Sequence, residues 1–134
     1  MQRRARALVA IVTLVSLMAT TRTAHATDPD PDPWFGKDKA LHFGVSAAIA
    51  SGTYAVMTTQ FKPRYPPLLI AGGLTLAIGA GKEGLDMLGF GDPSWKDFTW
   101  DVIGTVVGLG LAWGLDLAIR GVDAQHPLFG SPAP

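Results

Sequence analysis

The sequence predicts an all-α fold: a small membrane bundle of three transmembrane or membrane-associated helices behind an N-terminal signal peptide. Three apolar segments, about Asp38 to Phe61, Leu68 to Met87 and Ser94 to Ile119, each approach the ~20 residues that cross a hydrocarbon core of ~30 Å. The second and third are glycine-rich ("IAGGLTLAIGAG", "IGTVVGLGLAWG"), a composition that membrane helices tolerate because small residues let backbones approach. Only 16% of residues are charged, and the 108 residues beyond a 26-residue leader carry too little polar surface to wrap three such helices as a soluble core.

The N-terminus, "MQRRARALVAIVTLVSLMATTRTAHA", joins a basic start, an apolar stretch from Ala7 to Thr20 and the small-x-small triplet Ala24-His25-Ala26. These are the three regions of a secretory signal peptide, so residues 1–26 are expected to be removed. An uncleaved signal anchor is the alternative, and it leaves the following residues on the same outer side. Cleavage takes away four arginines and leaves seven basic against eleven acidic residues, which gives no sign of nucleic-acid binding. The absence of cysteine excludes a disulfide framework, a thiolate metal site and a lipid-modified cysteine.

"TDPDPDPWFG" opens a spacer over residues 27–37, kept extended by prolines that fix φ and lack an N–H. Residues 38–120 form the three-helix domain, and residues 121–134, "GVDAQHPLFGSPAP", are expected to be a flexible tail. The loop "FKPRYPP" carries Lys62 and Arg64 without an acid, and Arg120 follows the third segment, whereas Asp28, Asp30, Asp32 and Asp92 gather on the other side. The positive-inside rule then puts the mature N-terminus outside, with the polar ends facing the periplasm of a bacterial inner membrane.

This topology brings the start of segment one, the end of segment two and the start of segment three to one face. Those ends carry Asp38, Lys39 and His42; Lys82, Glu83 and Asp86; and Ser94, Asp97 and Asp101. At about 100° per residue, His42, Ser46, Ile49 and Thr53 share one face; Gly72, Thr75, Gly79, Lys82 and Asp86 share another; Asp97, Asp101, Gly104 and Gly108 share a third. Each charged face therefore continues into small residues, with Gly72, Gly79, Gly104 and Gly108 as candidate packing positions. Gly110 and Gly114 repeat the four-residue spacing on a different face.

Several of these residues have plain structural readings. Ser94-x-x-Asp97 is a capping-box pattern, Asp38 fits an N-cap, and Lys39 and Lys96 fit side chains that snorkel to the interface. Trp34, Trp95 and Trp100 fit an interfacial aromatic belt. His42, Lys82, Glu83, Asp86 and Asp101 lie about one turn inside their segments, where an unpaired charge costs about 3 kcal/mol on insertion scales. Lys82 and Asp86, at i and i+4, are expected to pair, which leaves Glu83 and Asp101 for His42. Carboxylates beside an imidazole suit acid–base work or an N/O metal site, although no metal or other cofactor is identified by the pattern.

"DKALHF", "GKEGLD" and "SWKDFTWDVIGTVVG", in that order, resemble the YfiM-like family of periplasmic lipoproteins and, more faintly, the VanZ-like membrane proteins. The resemblance covers about Asp38 to Gly108 and implies a small envelope protein; the VanZ-like group implies a link to glycopeptide (teicoplanin) resistance. Its matching positions are Asp38, Lys39, His42, Lys82, Glu83, Asp86, Ser94, Asp97, Asp101 and Gly104. The chain departs from the first family in lacking the lipoprotein cysteine, and from the second in having Asp101 where asparagine is usual.

The expected function is a cell-envelope membrane protein whose polar cluster is a structural lock or a binding site for a lipid or cell-wall-precursor head group. Membrane lipid is the expected partner, and a homo-oligomer is compatible with the glycine spacings. The alternative is a membrane-embedded hydrolase or transferase acting on an envelope lipid or lipid-linked precursor, with His42 or Glu83 as base. No GxSxG motif supplies its nucleophile.

Overall fold

The computed structural model describes residues 31–130; the signal-peptide reading of residues 1–26 and the first part of the spacer lie outside them. The chain divides into two compact units at Pro33, and the bundle belongs to the unit from Trp34 onward. It contains three helices: α1 (Lys37–Met57), α2 (Tyr65–Leu85) and α3 (Trp95–Arg120). All three are long and apolar enough to cross a membrane, and the fold is all-α with no strand among the described residues.

The helix limits follow local chemistry. α1 stops at Met57 rather than near Phe61, because Thr58 and Thr59 donate their hydroxyls to the carbonyls of Ala55 and Val56 and Pro63 follows. α2 begins at Tyr65, earlier than Leu68, because prolines are well accommodated in a first helical turn whose N–H groups have no helical partner. Beyond Leu85 the chain widens into a π-helical turn, Asp86–Phe90, in which Gly89 takes φ 93°, a conformation that other residues rarely adopt. Ser94 then caps α3 by accepting the Asp97 N–H at 3.2 Å.

Cross-helix contacts rise together in number along α1 and α3: Lys39 meets Asp97, His42 meets Asp101 and Tyr54 meets Asp116. These two helices are therefore parallel, and α2 returns antiparallel to both. A Cβ on Gly104 would overlap the Phe43 carbonyl, and one on Gly108 the Ala47 carbonyl, so this pair lets the α1 and α3 backbones touch. Ser51 fastens the same seam by donating to the carbonyls of Ala47 and Gly108, at 2.8 and 2.9 Å. Gly72 meets Leu109 across α2 and α3, whereas Gly110 and Gly114 face open space.

Burial is inverted relative to a soluble domain. Among the described residues five apolar side chains (Ile49, Ala50, Tyr54, Pro67 and Ala71) are buried against twelve polar or charged ones. Large apolar side chains such as Leu69, Val106, Leu111 and Ile119 point outward. The hydrophobic effect cannot hold together helices that keep their apolar surface outside, whereas a hydrocarbon surround makes that arrangement favourable.

Candidate functional site

Near the start of α1, helical spacing places Lys39, His42 and Ser46 on the side facing α3, where Asp97 and Asp101 occupy successive turns. The end of α2 contributes Lys82 and Glu83, and the wide turn after it contributes Asp86. Asp97 carries the junction: Oδ1 accepts from Lys39 Nζ, and Oδ2 lies 3.4 Å from His42 Nε2 and 3.8 Å from Lys82 Nζ. The other imidazole nitrogen, Nδ1, sits 3.0 Å from Asp101 Oδ1, which also accepts the Ser46 hydroxyl at 2.7 Å. His42 is thus hydrogen-bonded to Asp101 through Nδ1, while its Nε2 lies within ion-pair distance of Asp97.

Asp101 is fully buried, and its second oxygen has no hydrogen-bond partner among the described residues. That oxygen occupies a notch on α2: a Cβ on Gly79 would stand 2.7 Å from it. Gly79 is therefore a recess for a carboxylate as well as a packing position.

Glu83 does not join His42. Its Oε2 accepts the Ser94 N–H at 2.6 Å and its Oε1 lies 3.1 Å from Lys82 Nζ. In a capping box the acid three residues after the serine would reach back to that N–H. Here Glu83, from the preceding helix, takes over that half, and the Asp97 carboxylate is released to bind Lys39 and His42. Lys82 and Asp86 do pair, at 2.8 Å.

Two plain readings are corrected. Lys39 does not snorkel: it is buried, with its ammonium on Asp97 and 3.3 Å from Asp38. Asp38 is not the N-cap, a position held by Gly36 without a side-chain bond; it lies in the first turn, its side chain 48% exposed, with Oδ1 3.9 Å from His42 Nε2. The tryptophans cluster at this end, Trp34 packing edge-on to Trp95 at 4.7 Å while its carbonyl accepts the Trp100 indole N–H at 2.8 Å.

Asp38, His42 and Asp97 could each offer one ligand atom to a metal, all within 4.8 Å of one another. The same two carboxylates also hold Lys39, so a cation there would compete with an ammonium already in place. For nucleophilic chemistry, Ser46 donates its hydroxyl to Asp101 and Ser94 uses its own as a cap. Among the described residues neither hydroxyl is bonded to His42, as base activation of a serine requires.

A second buried cluster, absent from the sequence expectations, lies at the other end of the bundle. Arg64 Nε and the Tyr54 hydroxyl both bond Asp116 Oδ2, the latter at 2.9 Å, and Arg120 Nε lies 3.1 Å from Oδ1. Arg64 also donates to the carbonyls of His126 and Gly121, and its backbone N–H bonds the Pro127 carbonyl at 3.0 Å. Residues 121–130, the described part of the tail expected over 121–134, are irregular, and Gly121, His126 and Pro127 are bonded to Arg64. The available signal was Asp116, an acid deep in an apolar helix, at the level where a parallel α1 presents the Tyr54 hydroxyl.

Comparison of the chain with family models, curated proteins and solved structures returns no match.

Proposed function

We propose that this chain is a small cell-envelope membrane protein in which Lys39, His42, Asp97 and Asp101 form a structural lock joining the helices. The observation that carries the reading is closure. All four side chains are buried, and each bonds a side chain on another helix. Lys39 bonds Asp97, His42 bonds Asp101 through Nδ1 and faces Asp97 through Nε2, and the serines beside them are engaged with Asp101 or with a helix end. In hydrocarbon each charge left alone would cost about 3 kcal/mol, so the helices bury these residues together or not at all.

Placement at the periplasmic face of a bacterial inner membrane is supported by the leader-like N-terminus and by Lys62, Arg64 and Arg120 collecting at the opposite end. The likeness of "DKALHF", "GKEGLD" and "SWKDFTWD" to the YfiM-like family supports the same setting. Binding of a head group, or hydrolysis of an envelope lipid, would need the cluster to open.

The test is the accumulation and detergent-phase thermal stability of His42→Ala and Asp101→Ala. Both are expected to fall. Normal abundance with unchanged melting for both variants would overturn the lock and reopen a binding or catalytic role.

A further inference from the structure

The end of the bundle opposite the lock carries two adjoining cavities of different chemistry. One is a groove of about 380 Å³ between α1 and α3, walled by Ala55 and Thr58 on one side and by Leu111, Leu115 and Ile119 on the other, with Arg120 at its mouth. The other is a recess of about 340 Å³ that shares Thr58 with the groove and is lined by Lys62, Gln60, Gln125 and His126. From Leu111 to Ile119, at 1.5 Å per residue, the apolar wall runs about 12 Å, close to the ~15 Å hydrocarbon depth of one leaflet. A groove of that length ending at cations matches a molecule with an apolar tail and an anionic head.

The charges agree. Asp116 at the base of the groove is already bound by Arg64, so Arg120, 39% exposed and touching Asp116 through Nε, keeps its outer guanidinium nitrogens for a ligand. Lys62 is exposed in the recess and makes no ion pair among the described residues. We infer that this groove and recess bind one anionic phospholipid, its acyl chain along Leu111, Leu115 and Ile119 and its phosphate between Arg120 and Lys62. The inference is independent of the lock, which lies at the other end.

The test is native mass spectrometry of the full chain in detergent, titrated with phosphatidylglycerol or with phosphatidylcholine of the same chains. Two cations near a phosphate favour the anionic lipid by about 30-fold, and Arg120→Gln is expected to reduce that preference to about fivefold, Asp116 still being held by Arg64. Ala55→Phe fills the groove from an exposed position and is expected to abolish retention of both lipids at unchanged melting temperature. Free glycerol 3-phosphate is expected not to be retained. Equal retention of the two lipids by the native chain would overturn the inference. So would native-like lipid retention by Ala55→Phe, retention of glycerol 3-phosphate matching that of phosphatidylglycerol, or a dimer that Ala55→Phe disrupts without changing lipid content.

Discussion

Removing the Asp101 carboxylate tests the lock at its most buried point. Asp101→Ala deletes the acceptor of His42 Nδ1 at 3.0 Å and of the Ser46 hydroxyl at 2.7 Å, and leaves both donors in a place closed to water. Breaking a buried, hydrogen-bonded charge pair costs about 3 to 5 kcal/mol, and because His42 retains Asp97 at 3.4 Å the lower end, about 3 kcal/mol, is expected. A double-mutant cycle with His42→Ala isolates the pair, with a coupling of about 1.5 to 3 kcal/mol expected for a charge-assisted bond. The assay is reversible unfolding in mixed micelles as the fraction of denaturing detergent rises, followed by circular dichroism. Additivity within about 0.5 kcal/mol would show that the two residues act separately and refute the reasoning.

Gly104→Ala and Gly108→Ala should each destabilise by about 1 to 3 kcal/mol in the same assay, since the added carbon meets an α1 backbone carbonyl, whereas Gly110→Ala and Gly114→Ala, which face open space, should be neutral or slightly stabilising. Arg64→Met should expose the segment from Gly121 onward to protease at concentrations that leave it intact in the native chain, because the carbonyls of Gly121, His126 and Pro127 bond to Arg64 and the side chain supplies two of the donors; equal cleavage rates would contradict its role as the fastening. Asp123 accepts the backbone N–H groups of His126 and Gln125, both at 2.8 Å, which holds its carboxyl below the usual range. A depressed folded value favours this turn above the ordinary aspartate value of about 3.9 and is lost as pH falls through the lower folded value. Exchange protection of these two amides, corrected for intrinsic rates, should therefore be flat from neutral pH to about 5 and vanish in more acid solution; loss already near pH 6 would refute this role for Asp123.

The three helices were legible because each is an apolar run of about bilayer length, and the stripe on α1 because residues at helical spacing share a face: His42, Ser46, Ile49 and Thr53 are all buried. The α2 stripe was displaced. It was expected along Gly72, Thr75, Gly79, Lys82 and Asp86, but Pro67, Ala71, Thr75, Gly79 and Glu83 are the buried positions of the helix. Glu83 ends that buried stripe, and the turn after α2 folds Ser94 back over the helix end so that its N–H meets the Glu83 carboxylate. Arg64 was hidden for a related reason. It stands in a loop whose charge reads as a topology signal, and only the returning residues 121–127 turn it into an interior group.

The two clusters and the glycine pair lie along one seam, and their combination accounts for how α1 and α3 find each other. Parallel helices have no hairpin to set their alignment, and α3 carries two four-residue glycine spacings, Gly104/Gly108 and Gly110/Gly114, about 120° apart around its axis. Either pair alone would let another backbone approach. Asp97 and Asp101 lie on the face of the first pair, so use of the second would strand both acids in hydrocarbon away from Lys39 and His42. A slip of one turn, about 5.4 Å, along the chosen seam would separate the Lys39–Asp97 and Tyr54–Asp116 contacts together. The glycines set how closely the helices pack, and the charges at the two ends select which face and which register they pack in.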